Sequence, residues 1–269
     1  MPVTLDVSYP ADGVGLIAFS DPPMNFGGGE LGRKLGEAIS ELEEARTRVF
    51  VLASDTPGYF IAHWSLREIV QGQAAPTPPA EDAMRVRGPA IFEAVASHPM
   101  ISIAVNNGQA WGGGAELSWA CDLRVAAESA TYGQPEVPLG IIPGAGGTTR
   151  LSRLIGPARC LEMILDGRPI TAQRAFEMGA VNKVVPDDYV REAALEWATH
   201  IASWPGAALA AAKRSFSEGQ NLPLADARRN ESRIFRDVAG REDALATMNA
   251  AQAKYDAGAD SWEAIGLPR

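Results

Sequence analysis

Cysteine is scarce: the 269-residue chain has two, Cys121 and Cys160. They form no CxxC pair and sit in apolar surroundings. A disulfide framework is therefore not expected, and two buried free thiols in a reducing compartment are. Only three histidines occur, with no HExxH and no Cys/His cluster, so no metal site is expected. No apolar run approaches the roughly 20 residues of a membrane span. Met1-Pro2-Val3-Thr4-Leu5-Asp6 has neither the basic nor the apolar part of a leader. A cytoplasmic protein with no membrane partner is the expectation. Positive charge is in the minority: 24 Lys and Arg against 33 Asp and Glu give a net charge of −9. With no basic block, nucleic acid is not expected as a partner. Gly-x-Ser-x-Gly is absent, so a serine nucleophile has no support. Asn25-Phe26-Gly27-Gly28-Gly29 lacks the Gly-Lys-Ser/Thr ending of a phosphate loop, and no GxGxxG follows a strand.

What is present reads as an α/β protein. Hydrophobic content of 46% and charged content of 21% suit one large globular domain with an appendage. Residues 3–9 and 14–19 predict two strands around Ala11-Asp12-Gly13. Leu31, Leu35, Ala38, Ile39 and Leu42 recur at helical spacing and predict a helix over 29–45. Short apolar runs at 49–53, 100–105, 123–127 and 131–133 predict further strands. Ser65 with Glu68 three residues on is a capping-box pattern and predicts a helix start. Residues 71–82, rich in proline and small residues, read as a loop, and 83–97 as a helix. Strand, crossover and helix recur through residues 1–186, which implies repeated ββα units. From 187 to 269 the pattern becomes helical, at 187–204, 206–217, 223–239 and 241–257, without a polar linker.

Chemistry concentrates between residues 62 and 147. Trp111-Gly112-Gly113-Gly114 runs straight into the apolar stretch Ala115 to Ala120. Glycines that open a helix leave N–H groups uncovered at its positive end, where an oxyanion is stabilised. The Gly113 amide is one candidate donor. The Trp64 amide, just ahead of the capped helix at Ser65, is a second. Glu116 lies in the first helical turn beside those donors. Glu136, in Gly133-Gln134-Pro135-Glu136, precedes another glycine loop, Pro143-Gly144-Ala145-Gly146-Gly147. A free Gly144 amide is positioned in sequence to orient Glu136. Two glutamates sharing one water can act as base and acid. His63, close to the proposed Trp64 donor, is expected to shape the pocket or pack, with a catalytic role as the alternative, and His98 and His200 to be ordinary helix-end or surface residues.

These residues resemble the crotonase family of enoyl-CoA hydratases and isomerases, most densely from Asn107 to Val185. Asn107-Gly108-Gln109-Ala110-Trp111-Gly112-Gly113-Gly114-Ala115-Glu116-Leu117 and Tyr132-Gly133-Gln134-Pro135-Glu136 through Pro143-Gly144-Ala145-Gly146-Gly147-Thr148 carry the likeness, closest to the hydratases. The resemblance implies a crotonase-like spiral of ββα units over 1–186, holding a CoA-thioester site. It implies a helical region at 187–269 used in assembly, with a homotrimer or hexamer as the expected state. It implies an acyl-CoA substrate and no cofactor beyond that coenzyme A. Gly113 and Trp64 become the oxyanion-hole amides, Glu116 and Glu136 the catalytic glutamates, and Gly144 the support of the second. Ala62, His63 and Trp64 lie on the substrate-binding stretch. The implied reaction is syn addition of water to a 2-enoyl-CoA, with Glu136 delivering the α-proton and Glu116 holding the water. Another CoA-thioester reaction of the family (isomerase, decarboxylase, hydrolase or dehalogenase) is the alternative, and a non-catalytic CoA- or RNA-binding scaffold a third reading. Ala62-His63-Trp64-Ser65-Leu66 departs from the family's usual Ala-Gly-Ala-Asp-Leu by placing bulk beside the thioester. The usual basic residue near the start of the Asp21-to-Asn25 loop is also missing.

Overall fold

A computed structural model of the chain describes residues 3–74 and 90–267. The antiparallel strands β1 (Thr4–Ala11) and β2 (Val14–Ser20) open the fold. The two-residue strand β3 (Phe26–Gly27) and helix α1 (Gly29–Glu44) follow. In α1 the buried residues are Leu31, Leu35, Ala38, Ile39 and Leu42, the five that the spacing singled out. Next come β4 (Val49–Ser54), β5 (Gly58–Ile61), β6 (His63–Trp64) and α2 (Leu66–Ala74). After α3 (Ala90–Ser97) run β7 (Ile101–Asn106), β8 (Gly108–Trp111), α4 (Gly113–Ala120), β9 (Leu123–Ala127) and β10 (Thr131–Gly133).

The strands alternate between two sheets. First strands of successive units enter one sheet, ordered β1-β2-β4-β7-β9-β12, the last being Lys183–Val185. Second strands enter the other, ordered β11-β10-β8-β5, with β11 at Ile170–Thr171. Thus β4–β5, β7–β8 and β9–β10 each step from sheet to sheet before a helix returns the chain. The neighbours β4·β7, β7·β9, β5·β8 and β8·β10 are all parallel. This is the expected spiral of ββα units. All six residues of β4 are buried, as a strand covered on both faces requires.

Between β10 and β12 lie a 3-10 turn (Val137–Leu139), α5 (Arg150–Ile155), α6 (Pro157–Asp166) and α7 (Ala172–Met178). The Thr171 hydroxyl caps α7 by accepting from the Arg174 amide. Helix α8 (Val190–Ala202) packs on β4, β7 and β9, burying Ala193, Ala194, Ala198 and Ala202. Small side chains let it approach the sheet closely. The first compact unit consequently ends at Trp204, later than the boundary expected at 186.

The second compact unit begins at Pro205 and is helical: α9 (Gly206–Gly219), α10 (Leu224–Ala239), α11 (Glu242–Asp256) and α12 (Ser261–Ile265). Within it α9 packs on α10 and α11 on α12. Asp260 caps α12 by accepting from the Glu263 amide. The loop expected over 71–82 is corrected at its start, because α2 carries residues 71–74; its remainder lies outside the described residues, as does the 83–89 part of the expected helix.

Candidate functional site

Helix α4 starts at the glycine run, and Gly112 makes that start possible. Its φ of 51° and ψ of −125° suit only glycine. Its N–H donates to the Gly133 carbonyl at 2.9 Å, and its own carbonyl accepts from Glu116 N–H at 2.9 Å. A Cβ on Gly112 would lie 3.0 Å from Glu136 Oε1, so the helix start and the Glu136 carboxylate are in contact. A Cβ on Gly113 would lie 2.7 Å from Trp64 Cβ. The two candidate donor residues are therefore neighbours, though they are far apart in sequence and come from different ββα units.

Trp64 reaches this place through a short parallel pairing, Phe26 with His63 and Gly27 with Trp64. Ser65 N–H then donates to the Gly27 carbonyl at 2.7 Å, and α2 begins at Leu66. The Ser65 hydroxyl accepts from Glu68 N–H at 3.3 Å, half of a capping box. The other half is redirected, since Glu68 Oε2 accepts from Gly29 N–H at 2.8 Å and so serves the start of α1. The half-buried Trp64 ring lies 5.0 Å from Phe92, and the His63 ring 4.6 Å from Phe26. His63 Nδ1, 2.8 Å from the Trp64 carbonyl, carries the proton in that contact because a carbonyl only accepts. Ala62 is 1% exposed; its N–H donates to the Asn25 carbonyl at 3.0 Å and its carbonyl accepts from Gln109 Nε2 at 3.2 Å.

The two glutamates are buried, with 4% of Glu116 and 8% of Glu136 exposed. Glu116 Oε1 accepts from Ala145 N–H at 2.7 Å and Gly147 N–H at 2.8 Å. The glycine loop thus holds Glu116. No hydrogen bond joins Gly144 to Glu136 among the described residues, which corrects the expected support. The loop is fastened by Arg150, whose guanidinium donates to the Ala145 carbonyl at 2.7 Å and to Glu93 at 2.6 Å. Burial pushes the Glu116 carboxyl up, against the opposing pull of the Gly147 and Ala145 amides and Arg150. Glu136 is pushed up to about 7, first by burial and then by the charge of Glu116.

Gln134, fully buried, is the partner that sequence reasoning named only as a flanking residue. With its amide oriented to satisfy both neighbours, its oxygen accepts from Trp119 Nε1 at 3.3 Å and its nitrogen donates to both Glu136 oxygens at 3.2 Å. Trp119 in turn stacks on Tyr132, 5.0 Å between rings. Beneath the far end of α4, buried Arg124 donates to the carbonyls of Cys121 (2.6 Å), Ser118 (3.2 Å) and Ala180 (2.6 Å). A cation there complements the negative end of the helix whose positive end faces the site. Among the described residues no cluster of three or more His, Cys, Asp or Glu suits a metal ion.

The model of the family described as "Enoyl-CoA hydratase/isomerase" matches residues 10–256. The chain is 35% identical over 212 residues to the 2,3-dehydroadipyl-CoA hydratase of Escherichia coli K12, covering 78% of this chain and 81% of that one. It is 43% identical over 148 residues to a probable mitochondrial enoyl-CoA hydratase of Dictyostelium discoideum; that similarity covers 55% of this chain and about half, 53%, of the relative. Among solved structures, an enoyl-CoA hydratase from Bacillus anthracis superposes with a TM-score of 0.82 at 36% identity, over 93% of this chain and 96% of that one.

Proposed function

The chain belongs to the enoyl-CoA hydratase/isomerase family, and we propose that it is an enoyl-CoA hydratase whose site is built from Trp64, Gly113, Glu116 and Glu136. The observation that carries this reading is the convergence of two buried glutamates on the glycine start of α4. The thioester oxygen of a 2-enoyl-CoA sits between the Trp64 and Gly113 amides, which stabilise the charge that builds up there. Glu116, steadied by the Ala145 and Gly147 amides, holds the water and takes one of its protons. The water oxygen bonds to the β-carbon, and the π electrons move into a thioester enolate. Glu136 gives its proton to the α-carbon as the enolate collapses. A carboxyl pushed up to about 7 is partly protonated near neutrality, as this donor must be. The two glutamates then return to their starting states by exchange with solvent.

Ala62, His63 and Trp64 border the substrate, with Trp64 and Phe92 narrowing the space beside the thioester. That bulk limits the length of the acyl group or stacks on an aromatic one. It is also the observation behind a second reading, a different CoA-thioester reaction on the same scaffold. The reading needs no cofactor beyond the coenzyme A of the substrate, and a net charge of −9 opposes an RNA partner. Among the described residues no helix is long and apolar enough to cross a membrane; a cytoplasmic enzyme is proposed. Assembly as a homotrimer or hexamer is proposed from the apolar side chains left exposed within single elements. Examples are Ile142 (71%) after the 3-10 turn, Leu161 (56%) and Leu165 (62%) on α6, and Phe216 (71%) and Phe235 (64%) in the helical unit.

The test is loss of the enoyl-thioester absorbance of crotonyl-CoA with purified protein, beside Glu136→Gln and Glu116→Gln. Hydration by the wild type and its loss in both variants is expected. Activity retained by Glu116→Gln alone supports isomerase chemistry instead. Acyl-CoA binding without hydration by the wild type refutes the proposed reaction.

A further inference from the structure

Asn25 is 1% exposed and takes a left-handed backbone, φ 51°. Such a conformation is uncommon outside glycine, and asparagine tolerates it better than most residues. Its side-chain oxygen accepts from Asp21 N–H at 2.6 Å and from the Thr56 hydroxyl at 2.5 Å. Its side-chain nitrogen donates to the Ser54 hydroxyl at 2.6 Å and the Phe60 carbonyl at 3.0 Å. Its backbone carbonyl accepts from Ala62 N–H at 3.0 Å. Its buried side-chain amide, with its hydrogen-bonding capacity filled, thus joins the end of β4, the Thr56 turn and β5, and its backbone carbonyl holds the residue ahead of β6.

Immediately after Asn25, Phe26 and Gly27 make the parallel pair that carries Trp64. A ladder two residues long has too few bonds to fix its own register. What fixes it is the anchoring of both strands just upstream, and Asn25 touches both: it is covalently next to Phe26 and bonded to Phe60 and Ala62. We propose that Asn25 is a positioning residue for the reaction, clamping the two strands so that the Trp64 N–H meets the thioester oxygen. The inference rests on the hydratase reading of the site. Asn25 touches no reacting atom; it acts through Trp64.

Two variants test it. Asn25→Gly keeps the left-handed backbone available and deletes the amide. Thr56→Val removes one donor to that amide at nearly constant volume. Three quantities are read for each: kcat and KM for crotonyl-CoA, the thermal midpoint, and the absorbance of bound 4-dimethylaminocinnamoyl-CoA. The last band moves to the red as its carbonyl is polarised, so it reports the donors directly. An ångström of misplacement at a reacting group is worth about 100-fold in rate. The expected result for Asn25→Gly is a kcat lower by about 10- to 100-fold, KM within about threefold, and a smaller red shift. Thr56→Val, which keeps the rest of the clamp, should give an intermediate loss in kcat and in red shift. A lower thermal midpoint with the red shift and kcat unchanged in both variants overturns the proposal, because a purely structural role does that. If the wild type neither hydrates crotonyl-CoA nor shifts the probe, the hydratase reading itself fails, an outcome distinguishable from one in which only the variants decide.

Discussion

Glu136→Gln should make the protein more stable at alkaline pH while abolishing turnover. The carboxyl of Glu136 is moved from 4.5 to about 7 by burial and by the Glu116 charge. A group whose pKa is raised on folding binds its proton more tightly in the native state. Below about pH 4.5 both states are protonated, and the group neither favours nor opposes folding. As pH rises from 4.5 to 7, the unfolded chain ionises freely while the folded one resists. Folding stability is lost across that window and stays lost above it. At about 1.4 kcal/mol per pH unit, the full cost is roughly 3 kcal/mol, and screening at an open site leaves about 2 kcal/mol. Glutamine removes the ionisation and keeps a side chain that can still bond to Gln134. Urea unfolding at pH 8, at fixed protomer concentration, should therefore show the variant about 2 kcal/mol more stable than wild type. At pH 5 the gain should shrink below about 1 kcal/mol. An equal effect at the two pH values, or a loss of stability at pH 8, refutes the reasoning.

Three further outcomes follow from the same geometry. If Glu136 delivers the α-proton, kcat/KM for crotonyl-CoA should fall as pH rises through about 7, where its carboxyl ionises, and a profile rising through that range contradicts the role. Gly113→Ala places a methyl 2.7 Å from Trp64 Cβ and should lower kcat by about 100-fold or more by spreading the two donors apart; steady-state kinetics with a thermal melt separates this from unfolding. Arg124→Met leaves the carbonyls of Ser118, Cys121 and Ala180 without their buried donor and should cost about 3 kcal/mol or more in urea unfolding, whereas a loss below about 1 kcal/mol contradicts the proposed support of α4.

Much of the scaffold was legible because period and punctuation agree. The five apolar residues of α1 are one stripe at helical spacing, and the five are buried. Ser65 fixed the start of α2, as its hydroxyl does in the folded chain. Strand β8 was hidden, since Gly108-Gln109-Ala110-Trp111 has no strand pattern of its own and exists through pairing with β5 and β10. The end of the first unit was misplaced because alanine-rich α8 looks from sequence like the helices that follow it. Only contact with β4, β7 and β9 assigns it to the sheet.

The site shows why motif reading finds residues more readily than partners. Glu116, Glu136, Gly113 and Trp64 were all singled out, and the fold brings them together. In the 143–147 loop only the Gly144 amide was singled out, and its carboxylate was chosen by nearness in sequence, Glu136; the amides that bond are those of Ala145 and Gly147, and their carboxylate is Glu116. Chain distance is a poor guide here, because α4 runs back past the loop while Glu136 turns toward Gly112. This exchange of partners separates the two acids electrostatically. Glu116 receives two N–H groups and a nearby guanidinium, which favour its charge. Glu136 is buried beside that charge, which favours its proton. Burial raises both carboxyls, and the loop amides and Arg150 oppose that rise at Glu116 alone. On the proposed hydratase reading, the loop's choice of partner favours Glu116 as the holder of the water and Glu136 as the proton donor.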